Sequence, residues 1–300
     1  MICAACDIGS NSLRFVVAEV SDGKLIEILK EKRFIIRLAK NIEKERIISD
    51  EALSRLIEAL KVIKKDLEKY DNITSRFVAT SALREAENRE SAIKAALNLG
   101  IKIDIISPEE EAALMFKGVA SAINLNSKRG LIFDIGGGST EFVIAKDGKI
   151  EYLKSLDLGV VKLSDRFDFS KKVDKYESVF LVKFIENKLS QLPSTDIDMC
   201  IATAGTATTL AAIDLRLEQY DYKKVNGYRL SYGRIKEIVT MLYSLDFAER
   251  QKVVGLEESR ADLIIPGGFI TLLTMKRYSI DEVVISDFGL REGILVSCCK

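Results

Sequence analysis

The sequence predicts an α/β protein of two related halves, each a mixed sheet flanked by helices, with a cleft between them. Three observations lead there. The first is an internal repeat: residues 7–25 read DIGSNSLRFVVAEVSDGKL and residues 134–150 read DIGGGSTEFVIAKDGKI. The second is the alternation of strand and helix patterns through both halves. The third is length, because 300 residues exceed what one hydrophobic core usually serves.

In the repeat, Asp7, Ile8, Gly9, Ser12, Phe15, Val16 and Ala18 match Asp134, Ile135, Gly136, Ser139, Phe142, Val143 and Ala145, seven identities in twelve positions. Each copy has an apolar run, a Gly/Ser turn, a second apolar run and an Asp-Gly dipeptide (Asp22-Gly23, Asp147-Gly148). That order spells strand, tight loop, strand and hairpin. Further along, Ser49 or Asp50 caps a helix whose apolar face is Leu53, Leu56, Ile57, Leu60, Ile63 and Leu67. A strand is expected over 76–80, a helix over 83–99 stopped by Gly100, and a strand over 101–106. Ser107, Pro108 and Glu110 then open a helix as cap, first residue and capping-box partner, running to about residue 123. Polar residues 124–129 (NLNSKR) read as a linker, giving domains 1–125 and 126–300 and a hinge for closure. The second half predicts strands over 130–134, 140–145, 197–203 and 282–286. Its helices are expected over 174–191, 206–218, 231–244 and 259–276.

Composition narrows the chemistry. Lys plus Arg and Asp plus Glu each number 45, so no broad basic surface for duplex nucleic acid is expected. An anion must instead be held locally, by backbone amides and a few arginines. Histidine is absent, which removes His-based triads and most zinc sites. Of the five cysteines, Cys3 and Cys6 are spaced C-x-x-C but lie in an apparent strand, where they face opposite ways. With Cys200, Cys298 and Cys299 they read as small reduced residues. No membrane span or secretory signal is legible, so the cytoplasm is the expected compartment.

The Gly-rich turns carry the chemistry. Gly136, Gly137, Gly138, Ser139 and Thr140 allow a concave nest of amides with hydroxyl donors beside it. Gly9, Ser10, Asn11 and Ser12 repeat the device, and Gly205 with Thr206 forms a third turn at a predicted helix start. Neither common nucleotide fingerprint is spelled out. Asp7, Asp134 and Glu141 flank these turns; carboxylates beside a phosphate call for a cation, and Mg²⁺ held largely through water is expected. Arg14 takes the place in the first copy that Glu141 takes in the second, so the copies divide phosphate contact from metal binding. Arg84, expected near a helix N-terminus, is read as a further phosphate contact, since the dipole there disfavours a cation.

In order, DIGSNS…R, TSALREAEN, IISPEEEAALMFKGV, DIGGGSTE, TAGTATTLAA, RADLIIPGG and SDFGLREG resemble the exopolyphosphatase and guanosine pentaphosphate phosphohydrolase family. That family belongs with sugar kinases, heat-shock chaperones and actin. The resemblance implies two ribonuclease H-like, actin-like domains, and it is to the short form, without the extra C-terminal helical region of longer members. It implies hydrolysis of a terminal phosphate of polyphosphate or pppGpp with Mg²⁺. Carried onto this chain, the family's catalytic base is Glu111, and Gly136, Gly138, Ser139, Gly205, Thr206, Arg14 and Arg84 are its phosphate contacts. Two positions depart: Pro108 stands for the family's Gly, and Ala113 for its Arg. The expected partners are polyphosphate or a guanosine penta- or tetraphosphate, with a homodimer left open. A kinase or ATPase with an adenine pocket near residues 260–268, and a non-catalytic polyphosphate or alarmone sensor, are the rival readings. Lys171, Lys172, Lys175, Lys223 and Lys224 could extend a polyphosphate track.

Overall fold

The structure is a computed structural model that describes residues 1–298 except 41 and 170–174, without the side chains of 43 and 175–177. Lys171, Lys172, Cys299 and the side chain of Lys175 therefore lie outside the described residues. The chain divides into two compact units, 1–121 with 288–300, and 122–287.

The first unit runs β1 (Ile2–Ile8), β2 (Ser12–Ser21), β3 (Lys24–Ile35), α1 (Ile42–Glu45), α2 (Asp50–Leu67), β4 (Thr74–Ala79), α3 (Ser81–Glu85), α4 (Arg89–Asn98), β5 (Ile103–Ile105) and α5 (Pro108–Ala122). Its sheet order is β3-β2-β1-β4-β5, with the first two pairs antiparallel and the last two parallel. This is the ribonuclease H-like arrangement. Central β1 is covered on both faces, which is why ICAAC carries no polar side chain. Asp22 and Gly23 both take positive φ, as a tight hairpin whose twist matches its strands requires.

On α2, Ser49 accepts a hydrogen bond from the Ala52 amide and Leu56, Leu60 and Ile63 are buried at helical spacing. Asp66 is buried on the same face, and the ammonium groups of Lys30, Lys32 and Lys69 stand 2.6, 2.8 and 2.9 Å from its oxygens. Burial pushes this carboxyl up, but the three lysine hydrogen bonds outweigh it and hold it well below the usual carboxylate range. A lowered folded-state pKa stabilises the fold above the unfolded carboxylate's value of about 3.9, and that contribution fades only as pH falls further. Asp66→Asn is expected to cost about 2 kcal/mol at neutral pH and much less near pH 2, measured by denaturant unfolding at both.

The helix expected over 83–99 is two helices. Asn88 exchanges side-chain hydrogen bonds with the Ile48 backbone (2.9 and 2.8 Å), and the Glu87 amide donates to Arg46 O. These long-range bonds outcompete helix continuation at 86–88. Ser107 caps α5 through the Glu110 amide, but the Glu110 carboxylate goes to Arg76 at 2.6 Å rather than completing a capping box.

The second unit runs β6 (Gly130–Ile135), β7 (Thr140–Lys146), β8 (Lys149–Leu156), α6 (Val160–Arg166), α7 (Lys175–Leu189), β9 (Met199–Thr203), α8 (Ala204–Asp214), α9 (Tyr222–Val225), β10 (Arg229–Ser231), α10 (Tyr232–Ser244), α11 (Phe247–Arg250), a 3₁₀ turn (Glu258–Arg260), α12 (Ile264–Arg277) and β11 (Glu282–Ile285). Its sheet order, β10-β11-β9-β6-β7-β8, repeats the first unit's topology with one antiparallel edge strand added. The helix expected over 259–276 is instead the 3₁₀ turn followed by α12. The helix expected over 206–218 starts two residues sooner and ends at Asp214, before Arg216 turns to positive φ.

The last helix, α13 (Leu290–Ser297), belongs to the first unit. The expectation of one domain over 126–300 is corrected there. Leu290, Ile294 and Leu295 join Cys3, Ala5, Val16, Ala18, Val20, Val78, Ile106 and Leu114 in one buried cluster. Contact with α5 is backbone to backbone: a Cβ on Gly293 would lie 1.8 Å from Leu114 O, and one on Gly118 1.8 Å from Gly289 O. No described helix is long and apolar enough to cross a membrane.

Candidate active site

Both repeat turns close with the same hydrogen bond, Gly9 N to Ser12 O (3.1 Å) and Gly136 N to Ser139 O (2.9 Å). In each, a neighbouring segment takes up the carbonyls. Asn11 O accepts from the Ile36 and Arg37 amides and Ser10 O from Ala39; Gly136 O and Gly137 O accept from Val160 and Val161. Gly159 makes the second approach workable, since a Cβ there would stand 2.3 Å from Gly137 O. Among the described residues, the amides of Gly137, Gly138 and Ser139 enter no backbone hydrogen bond. A turn whose carbonyls are engaged on one side and whose amides are not can cradle an anion.

Register explains why the copies differ. Across the first sheet Asp7 faces Arg14, and Arg14 faces Arg33. In the equivalent row of the second sheet Thr203 faces Asp134, Asp134 faces Glu141, and Glu141 faces Ser155. One row is net basic and the other net acidic. Two carboxylates directly opposite each other destabilise a sheet unless something offsets their charge. Glu141 is 1% exposed and accepts a 2.7 Å hydrogen bond from Ser155 Oγ. Two carboxylates and a hydroxyl are hard oxygen donors of the kind Mg²⁺ takes. No group of three metal-ligating side chains forms among the described residues.

Strand alternation puts Asp7 and Arg14 on the sheet face that carries Ala5, Val16 and Val20, the face packed against Leu114 of α5 and against α13. Glu111 lies one turn before Leu114, in the first turn of α5, and is 9% exposed. Arg84 reaches it: Nη1 donates to Glu111 Oε2 at 3.1 Å and to Ile106 O at 2.9 Å. The dipole argument for Arg84 is corrected here, because Arg84 sits in the last turn of the short α3 rather than at its N-terminus. The structure thus joins a candidate base with a candidate phosphate contact, and it gives Glu111 a guanidinium neighbour although position 113 is Ala.

The third turn shows strain that the sequence does not announce. Ala204 takes φ 65°, a left-handed conformation that costs a non-glycine residue energy and gathers at functional positions. Gly205 and Thr206 follow in the first turn of α8, both buried. The guanidinium of Arg260 lies directly on Gly205, where a Cβ would be 1.8 Å from Nη1. Gly267 also packs closely on Thr206, where a Cβ would stand 2.4 Å from Oγ1. Arg260 is a candidate phosphate contact that sequence reasoning had placed only at the edge of the rival reading's adenine pocket. No local pattern could have placed it 55 residues along the chain (260 minus 205) against Gly205.

The fold and these turns define a class: an α/β protein of duplicated ribonuclease H-like units with Gly/Ser turns at the ends of their strands. Residues 16–300 match the Ppx/GppA phosphatase family, and the chain belongs to it. Among its relatives is a guanosine-5'-triphosphate,3'-diphosphate pyrophosphatase of Vibrio parahaemolyticus, 30% identical over 97% of this chain and 58% of that protein. Another is exopolyphosphatase 2 of Mycobacterium tuberculosis, 28% identical over 98% of this chain and 97% of that one. The crystal structure of the Aquifex aeolicus family member is 33% identical and superposes with a TM-score of 0.84 over 99% of this chain and 97% of that chain. The chain spans about half the length of the first curated relatives it matches.

Proposed function

We propose that the protein hydrolyses the terminal phosphoanhydride of inorganic polyphosphate or of pppGpp. The observation that carries this reading is the Glu111 carboxylate held 3.1 Å from the Arg84 guanidinium, at the start of a helix packed on the sheet that ends in the Gly9–Ser12 turn. Relatives named for both substrates support it. Glu111 takes a proton from water as the water oxygen bonds to the terminal phosphorus and the P–O bond to the next phosphate breaks. Arg84 and Arg14 meet charge on the phosphoryl oxygens, while the turn amides hold the chain of phosphates. Arg260 and the start of α8 do the same within the second unit.

Asp134 and Glu141 would hold Mg²⁺, largely through water. The ion would offset phosphate charge beside the two carboxylates. Asp134→Asn is expected to raise the Mg²⁺ concentration giving half-maximal rate by about tenfold or more, read from a metal titration. An unchanged titration would remove Asp134 from the metal site. Neither a cytoplasmic location nor a homodimer is needed by the reading, and both stand as expectations from sequence.

The deciding experiment is phosphate release from long-chain polyphosphate, pppGpp and ATP side by side. Release from either of the first two, with ATP poor, is the expected result. Preference for ATP would favour the kinase or ATPase reading, and binding without release the sensor.

A further inference from the structure

Arg250, the last residue of α11, is 0% exposed and heads the largest fully buried side chains among the described residues. Among the described residues its hydrogen bonds run to backbone carbonyls: Nε to Asp246 O at 3.2 Å, Nη1 to Ala261 O at 2.9 Å, and Nη2 to Phe169 O. Burying a guanidinium is costly, and an apolar side chain of similar volume would serve packing as well or better. The bonds must therefore be weighed by what they hold in place.

The Nη1 bond holds the peptide that follows Arg260. Ala261 O is fixed by Arg250, and the next carbonyl, Asp262 O, is fixed by Ser164 Oγ at 2.7 Å. Ser164 sits on α6, whose first amides engage the carbonyls of the 136–139 turn. A continuous brace therefore runs from that turn through α6 to residues 261 and 262, and Arg250 closes it from behind. At its end the Arg260 guanidinium rests on Gly205 at the start of α8.

We propose that Arg250, assisted by Ser164, is a positioning residue that keeps the Arg260 guanidinium over the first turn of α8 for a substrate phosphate. The inference rests on the phosphohydrolase reading and names the support of one of its phosphate contacts. Arg250 touches no substrate; it acts through Arg260.

The test is a double-mutant cycle on the full chain with Mg²⁺. Tripolyphosphate binding is read by calorimetry, KM and kcat from phosphate release, and melting temperature alongside. Arg260→Ala is expected to weaken tripolyphosphate binding at least tenfold. Arg250→Met should weaken it to a similar degree with a smaller change in kcat, and Arg250→Lys should recover part of the loss. The decisive prediction is that Arg250→Met adds less than twofold once Arg260 is already Ala. If the two losses multiply, or if Arg250→Met lowers the melting temperature without moving KM, the inference is overturned. Should Arg250→Met fail to fold, Ser164→Ala carries the same test, with about a threefold loss expected in the parent and none in Arg260→Ala. A parent protein that neither binds nor hydrolyses tripolyphosphate, polyphosphate or pppGpp would overturn the phosphohydrolase reading itself, and this inference with it. A parent that binds while the cycle is multiplicative overturns only the brace.

Discussion

Glu111→Gln is expected to lower phosphate release by about 10²- to 10⁴-fold, the range a positioned general base supplies. Gln keeps the side chain's shape and can still accept from Arg84, so the 3.1 Å contact has a surviving acceptor. Polyphosphate binding should therefore persist, or tighten, since one negative charge leaves the neighbourhood of the phosphates. Rate and affinity must be measured on the same preparation, because their separation is the signature of a proton acceptor. A variant retaining more than a tenth of the parent rate would show that Glu111 is not the base.

The second large effect concerns the α5–α13 contact. Gly293 lies inside a helix, where propensity alone says that Gly→Ala should stabilise by about 1 kcal/mol. The packing says the reverse, because the new methyl would meet Leu114 O at 1.8 Å and the opposing atom is backbone that cannot rotate away. Gly293→Ala is expected to lose about 3 kcal/mol, and Gly293→Val more, in urea unfolding of the full chain. A stabilised Gly293→Ala would mean that the two helices can separate at little cost. Since α5 carries Glu111, a smaller activity loss should accompany the stability loss.

What the sequence disclosed and what it hid follow from the range of the forces involved. The repeat, the Asp-Gly hairpins and the strand-end glycines were legible because each is set by residues within a few positions of one another. The cap at Ser107 was legible for the same reason, yet the Glu110 carboxylate went to Arg76, a partner 34 positions away (110 minus 76). The break at 86–88 was hidden because the Ile48 backbone makes it. The return of α13 to the first unit was hidden too, since the residues it packs on, such as Ala5, Val16 and Leu114, lie far from it along the chain. At the candidate site, sequence named Gly205 and Arg84. It could not show Arg260 lying on the one or Glu111 beside the other, because both contacts arise only when distant elements pack. The basic and acidic sheet rows fall in between: the Arg14–Glu141 exchange is visible in the repeat, while Arg33 and Ser155 need the register.

The return of α13 also bears on how the protein comes off the ribosome. Leu290, Ile294 and Leu295 are part of the cluster that covers β1 and β2, so the half synthesised first stays unfinished until residues 290–295 have emerged. The intervening half, 122–287, holds all its own strands and can mature earlier. Nascent β1 to β3 thus wait with an uncovered apolar face, which makes that sheet the place where trapping and chaperone capture should concentrate during translation.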